Sequence, residues 1–384
     1  MSRPCTCSVF PPYVDLSNDF FSERNEVSTG TSNQVLIDNF TRHGWSPVRI
    51  RCPSTKNQPG FDDTDSRLLL HQSPFEWKEQ LVKLFVNPQS YENTPGVTYR
   101  HAESGKPGTI EPKESLEVQR SVVPKDEKRD FTSSTEGKLL AFADLLHQVA
   151  CTVRRTLGIP QNVLLLDDST ASDSSTNRPV DLLRVFNYET VDPACSTLGS
   201  SEHTDWGSFT VVWQDSVGGL QTYCHACQKW VDVKATMPQE PETWDFVVHV
   251  GDLTSICVGS ILEQRKGISL TNTADATPGT VVWPSPRHRV VSPKEQRRLS
   301  LVYFAYPPMN ASLKTMQERL KEWCLKTLKA TPSVRVPWDD YFILRNQSSS
   351  NQDKGDDDPQ SMYQRIERSP IKNVLEEKWS QVQR

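Results

Sequence analysis

No stretch of this chain is apolar for long enough to cross a membrane, which takes about 20 residues. Positive charge is not in excess either. The 43 Lys and Arg stand against 48 Asp and Glu, for a net charge of −5. The basic footprint that nucleic acid or an anionic membrane surface would require is therefore missing. The opening MSRPCTCSVFPPYV has no apolar core of the signal-peptide kind, so no secretory signal is expected. Cysteine is present, nine residues in all, but the number is odd and the spacing forms no disulfide framework. Reduced thiols and a cytoplasmic location are the expectation. Cys224 and Cys227 have the spacing of half a zinc site, yet no second CxxC or matching His pair follows. A turn between two strands is the better reading of that pair. With 384 residues, 35% of them hydrophobic, the chain can bury one large core or two small ones.

What is present concentrates between His203 and Gln221, HTDWGSFTVVWQDSVGGLQ. The Val, Thr, Phe and Trp content reads as strand. Alternate residues of a strand share a face, so His203 and Asp205 are expected to project together. One imidazole and one carboxylate are two thirds of the 2-His-1-carboxylate set that holds non-haem Fe(II). The third ligand must be a His from a distant strand, and His288 in WPSPRHRVV is the best candidate. Ten residues on, Arg298 and Ser300 form another alternate pair in RLSLVYFAY. An Arg can grip a carboxylate with two parallel hydrogen bonds, and Ser300 adds a hydroxyl. Positions 298, 300, 302 and 304 share a face, which suggests a barrel interior with an anion at its end.

The order HxD, HRV, RxS resembles the iron(II)- and 2-oxoglutarate-dependent oxygenases of the isopenicillin N synthase-like (plant-type 2-oxoglutarate dioxygenase) family. LLRVFNY (182–188), GGLQ (218–221), Trp230 to Val233, Val250 to Leu253, EPKES (111–115) and VFPPYVDLS (9–17) extend the likeness over most of residues 9–345. The resemblance implies a mainly β fold with flanking helices, a double-stranded β-helix (jelly-roll) barrel behind an N-terminal α/β segment. It divides the chain into an N-terminal region at 9–160, the oxygenase jelly roll at 180–310 and a helical segment at 311–345; by composition the tail at 346–384 reads as disordered, with a partly helical last stretch from Met362. The resemblance makes His203, Asp205 and His288 the iron ligands and catalytic centre. Arg298, Ser300 and Tyr188 become the 2-oxoglutarate contacts, with Phe304, Tyr99 and Trp283 as substrate-side walls. The Asn that relatives often place two residues before that Tyr is Phe186 here, and Asn187 is shifted by one.

The implied activity is hydroxylation, desaturation or cyclisation of a small organic molecule with Fe(II), 2-oxoglutarate and O2. Ascorbate would serve as reductant, and succinate and CO2 would be released. A monomer without nucleic-acid or membrane partners is expected. Two alternatives keep the same iron site: an oxidase that does not use 2-oxoglutarate, and a silent metal-binding barrel that acts as a sensor. His249, where many relatives have Asn, either lines the pocket or satisfies a core hydrogen bond, and the second is preferred.

Element by element, Val9–Leu16 reads as a short strand, Asn33–His43 as a helix ended by Gly44, and WSPVRIRC as a strand. Leu68–Val86 reads as one helix. Residues 87–137 are rich in Pro and Gly and are expected to wrap over the barrel mouth. Lys138–Leu157 is the clearest helix, and its apolar stripe is core. Residues 53–66 and 167–179 read as loops. From Leu182 to Tyr306 only strands and turns are expected, followed by a helix at Ser312–Ala330. Residues 254–283 form an unusually long insert. It is read either as a lid over the pocket or as a surface hairpin with Trp283 packed in the barrel wall.

Overall fold

The computed structural model describes residues 10–22, 31–52, 65–87, 96–101, 111–119, 135–160, 179–192, 197–224, 227–234, 242–258, 260–262, 280–281, 283–308, 310–328, 330–332 and 370–373. The chain enters through a two-residue strand β1 (Val14–Asp15), helix α1 (Ser17–Phe21) and helix α2 (Thr31–His43). Gly44, at φ +72, closes α2 in a conformation that glycine adopts without a Cβ penalty. Strand β2 (Trp45–Arg51) follows at once. The single helix expected at 68–86 is two elements, a 3-10 turn at Ser66–His71 and helix α3 (Pro74–Leu84). Ser73 and Glu76 make a reciprocal capping box with Pro74 in the first turn. That cap starts a new helix, and the missing N–H of Pro74 prevents the earlier turn from continuing.

Residues 87–137 hold more order than their composition suggests. They supply strands β3 (Val97–His101) and β4 (Lys113–Gln119). Helix α4 (Thr135–Thr156) then packs its apolar stripe, from Leu139 to Val153, against the sheet. Ahead lie β5 (Pro179–Tyr188), β6 (Leu198–His203), β7 (Phe209–Gln214), β8 (Leu220–Cys224), β9 (Lys229–Asp232) and β10 (Thr243–Val250). Cys224 and Cys227 sit at the hairpin between β8 and β9. After helix α5 (Asp252–Val258) come the short strands β11 (Ser260–Leu262) and β12 (Thr280–Val281), then β13 (His288–Val291) and β14 (Arg298–Pro308). Helix α6 (Leu313–Trp323), capped by Ser312, runs into a π turn at Cys324–Leu328 and strand β15 (Ala330–Pro332).

Eight strands form the main sheet in the order β1-β2-β10-β7-β14-β5-β4-β3, and four form a second sheet in the order β6-β13-β8-β9. Side chains from both sheets meet in one apolar cluster. Phe186, Tyr188, Val212 and Val247 come from the main sheet, and Leu220 and Val290 from the smaller one. This is the expected jelly-roll sandwich, with strands of the N-terminal segment built into its larger sheet. The opposite face of the main sheet carries the larger core, where Trp77 stacks on Trp244 at 3.9 Å and packs edge-on to Phe142.

The C-terminal half also departs from the sequence reading. Helix α5 interrupts the run read as strands only, and all seven of its residues are buried. Its polar Thr and Ser content hid it from a hydrophobic-period argument. The ends of the long insert, β11 and β12, join β15 in a separate three-stranded sheet; residues 263–279 lie outside the described residues, as do the 337–345 motif and almost all of the loops at 53–66 and 167–179. In the tail read as disordered, Ile371 is buried and its backbone N–H donates to the Ala311 carbonyl. Among the described residues, no helix is long and apolar enough to cross a membrane.

Candidate metal centre

His203 ends β6 and pairs directly with His288, the first residue of β13. Their rings lie 4.3 Å apart. Asp205 is not on the strand that the alternation argument required. It lies in the loop between β6 and β7, and that loop is held from below. The Asp252 N–H donates to the Asp205 carbonyl at 2.7 Å, and the Leu253 N–H donates to Gly207. The Thr204 hydroxyl donates to the Asp252 carboxylate at 3.3 Å. Gly251 is what permits this contact, because a Cβ there would overlap the Gly207 carbonyl oxygen. The Gly-Asp pair that precedes α5 thus sets the position of the carboxylate.

The three side chains converge. Asp205 Oδ1 lies 3.7 Å from His203 Nε2 and 3.6 Å from His288 Nε2. One ligand atom from each residue falls within 4.8 Å of the others. Both imidazoles are aimed by their far nitrogens. His203 Nδ1 is 2.7 Å from the Ser201 carbonyl, and His288 Nδ1 is 3.1 Å from the Pro286 carbonyl. A carbonyl only accepts, so each Nδ1 carries the proton and each Nε2 offers a bare lone pair. His288 and Asp205 are buried, at 6% and 5% exposure.

Desolvation, and then His288, lower His203, but 44% of its side chain meets solvent, which limits the shift. Desolvation first also lowers His288. Burial alone would raise the Asp205 carboxyl, but the three surrounding imidazoles, His288 foremost, hold it below the usual carboxylate range. At neutral pH the set is two neutral imidazoles and one carboxylate, the protonation state that ligates a divalent metal. Among the described residues Asp205 Oδ2 has no hydrogen-bond partner. Nitrogen and oxygen ligands bind at about 2.0–2.2 Å, and side-chain separations of this size close onto one ion with small rotations. The donor set therefore fits Fe(II).

Arg298 opens β14 and faces the same interior. It is 1% exposed. Its guanidinium lies 4.7 Å above the Tyr188 ring and donates to the Ser300 hydroxyl at 3.0 Å, to the Gln214 side chain at 3.1 Å and to the Gly218 carbonyl. Among the described residues no carboxylate pairs with it. A buried cation without a counter-charge is costly, and a carboxylate from a ligand would neutralise it. Arg298, Ser300 and Tyr188 thus come together on the inner face. Asn187 does not join them; it faces the other way and donates to Glu114.

The three substrate candidates separate. By strand alternation Phe304 falls on the inner face, opposite Thr210 and Leu182. Tyr99 lies opposite Leu116 on the outer face, and its hydroxyl donates to Glu114 at 2.7 Å. Trp283 is fully buried against Phe40 and Trp323 in the outer core. Neither Tyr99 nor Trp283 reaches the interior that holds His203.

His249 corrects the sequence reading. It is fully buried on β10, yet among the described residues neither ring nitrogen has a hydrogen-bond partner. Its Nδ1 stands 3.7 Å from Asp205 Oδ2, and its ring 4.6 Å from His288. A second arrangement escaped the sequence altogether. Lys113 and Glu111 form a buried ion pair at 2.7 Å, and Glu111 accepts the Ser201 N–H at 2.6 Å, so the pair steadies the strand that delivers His203. Both residues belong to the EPKES string, which signalled family likeness without indicating this role.

Residues 180–307 match the 2OG-Fe(II) oxygenase superfamily. Over 153 residues the chain is 33% identical to gibberellin 3-beta-dioxygenase 2-3 of Triticum aestivum, covering 39% of this chain and 32% of that protein. Over 124 residues it is 31% identical to the 1-aminocyclopropane-1-carboxylate oxidase of Dictyostelium mucoroides, covering 32% and 26%. The chain thus spans about a third or less of the length of these relatives. Among solved structures, the dioxygenase for auxin oxidation from rice is similar, with a TM-score of 0.49, 18% identity and coverage of 88% of this chain and 95% of that one.

Proposed function

We propose, because residues 180–307 match the 2OG-Fe(II) oxygenase superfamily, that this chain is an Fe(II)- and 2-oxoglutarate-dependent dioxygenase acting on a small organic molecule. The observation that carries this reading is the pairing of two sites of opposite charge on one inner face, built around the buried Asp205 carboxylate and the buried Arg298 guanidinium. One is the His203, Asp205 and His288 set; the other is the Arg298 guanidinium, which no carboxylate among the described residues neutralises. Iron, once held by those three residues, supplies the oxidising chemistry in which 2-oxoglutarate and O2 are converted to succinate and CO2 while the substrate is oxidised.

The chain's own residues bind and orient. Arg298 and Ser300 grip the distal carboxylate of the oxoacid, and Tyr188 supports the guanidinium from below. The apolar cluster of Phe186, Val212, Val247 and Val290 keeps water from the space between the sheets, which strengthens every charge interaction there. Phe304 lines the substrate side. The substrate is a small molecule, O2 is the co-substrate, ascorbate is the reductant, and the protein works as a cytoplasmic monomer.

Succinate release tests the proposal. Purified protein with Fe(II) and 2-oxoglutarate should form succinate, and Arg298→Leu should form far less at the same oxoacid concentration. No succinate from metal-loaded protein across a broad substrate panel would favour the silent barrel. Substrate oxidation that proceeds without 2-oxoglutarate would favour the oxidase related to aminocyclopropane-carboxylate oxidase.

A further inference from the structure

We propose that His249 is a positioning residue for the metal centre: its Nδ1–H holds Oδ2 of Asp205, so that the carboxylate presents Oδ1 alone to the metal. The inference rests on the metal reading of His203, Asp205 and His288.

The two oxygens of Asp205 face different imidazoles. Oδ1 lies toward His203 and His288, at 3.7 and 3.6 Å, whereas Oδ2 lies toward His249, at 3.7 Å. Among the described residues, Oδ2 and both His249 nitrogens are buried without a hydrogen-bond partner. A buried donor and a buried acceptor this close, each otherwise orphaned, gain by closing the gap, because each alone carries a desolvation cost. The gap is under about 1 Å beyond an ordinary N–H···O distance.

The backbone leaves His249 nowhere else to point. It pairs with Thr210 on β7 and with Trp45 on β2, so its side chain is fixed to the inner face. The loop that carries Asp205 is tied to the residues just after β10, through Asp252 and Leu253. Carboxylate and imidazole therefore move as one unit. His249 is not a fourth ligand: among the described residues, the ligand atoms that gather within 4.8 Å come from His203, Asp205 and His288 and exclude it. A carboxylate held through its second oxygen cannot chelate with both, and the metal's remaining positions stay open for other ligands.

The test uses the full chain and Co(II) or Zn(II) alone. Co(II) binding is read by calorimetry and by the visible spectrum of the bound ion, for wild type, His249→Leu and His249→Asn. The Asn amide nitrogen stands near the place of the imidazole Nδ1 and can donate to the same oxygen. His249→Leu should bind Co(II) about 10- to 100-fold more weakly with an altered spectrum, and His249→Asn should restore both. Wild-type affinity and spectrum in His249→Leu, or an Asn variant as impaired as the Leu variant, would overturn the proposal.

Nitrogen-15 histidine spectra of the wild-type protein, with and without Zn(II), decide the matter independently of how the variants fold. His249 should keep a protonated Nδ1 in the loaded protein while only His203 and His288 show coordinated nitrogens. A coordinated His249, or one without a proton on Nδ1, refutes it. Wild-type protein that takes up neither metal refutes the underlying metal reading instead, a result separable from all of these.

Discussion

Trp77, Trp244 and Trp323 bury their indoles on the outer face of the main sheet and hand each N–H to a backbone carbonyl, of Leu69, Leu70 and Leu157, at 2.7–2.9 Å. On the inner face burial is as complete but satisfaction is not. Among the described residues, Asp205 Oδ2 and both nitrogens of His249 lack partners, and Arg298 meets no carboxylate. Trp283 Nε1 is the exception among these outer-face indoles, and among the described residues Asn187 Oδ1 also lacks a partner there. The contrast separates two tasks. The outer face lowers the free energy of the fold by apolar burial, with the N–H groups of Trp77, Trp244 and Trp323 paired. The inner face keeps charges in a desolvated space without completing them, which costs stability and leaves binding capacity.

If that division is real, substitutions on the two faces should fail differently. The largest effect belongs to the ligands. His203→Ala, Asp205→Ala and His288→Ala should each abolish turnover and weaken Fe(II) uptake, while the apo protein melts close to wild type. Metal content after gel filtration and apo melting curves check this, and a variant that keeps full activity would leave the ligand set.

Trp77→Ala should do the reverse. Removing an indole stacked on Trp244 and edge-on to Phe142 costs about 3–5 kcal/mol of stability, read from urea unfolding, with metal affinity of the folded protein unchanged. A loss of metal affinity with little loss of stability would blur the two faces. Arg298→Leu is smaller. Losing a hydrogen bond to a charged group costs about 1.5–3 kcal/mol of 2-oxoglutarate affinity, roughly tenfold to more than a hundredfold, and stability should hold or rise because a buried cation is gone.

The sequence disclosed the inner face's chemistry more readily than its geometry. His203, His288 and the Arg298–Ser300 pair were legible because each sits in a short motif whose residue types suit metal or carboxylate. Asp205 was identified for the wrong reason: it lies past the strand end, placed by the Gly251–Gly207 contact that no period reveals. His249 was hidden in the apolar run TWDFVVHV, where a core hydrogen bond was the simpler reading. The outer face was legible as stripes, in α4 above all. The break at Ser73 and Pro74 needed the cap to be weighed above the hydrophobic period, and β4 draws its order from pairing with β5, and β3 from pairing with β4, rather than from local propensity. Tyr99 and Trp283 show the limit of motif reasoning about pockets, since an aromatic near the site in sequence can belong to the opposite face.

The smallest expected effect is on pH dependence of the apo protein. Burial holds the His288 pKa below its ordinary 6.5. Between those two values the unfolded chain binds a proton that the folded one does not, so stability rises with pH there and is lost as pH falls below about 6.5. His203 shifts in the same direction, but 44% of its side chain meets solvent, so His288 dominates. Melting temperatures from about pH 7.5 to about pH 5 should fall, and His288→Gln should flatten the slope. An unchanged slope in that variant would assign the acid sensitivity to other groups.

The central claim is that the inner face pairs two complementary charged sites, one suited to a divalent metal and one to a dicarboxylate. Calorimetric titration of 2-oxoglutarate into Fe(II)-loaded protein under anaerobic conditions addresses both at once. The account predicts one binding event in the wild type, at least about tenfold weaker in Arg298→Leu and absent or much weaker without Fe(II). Equal affinity in Arg298→Leu, or binding indifferent to the metal, would contradict it.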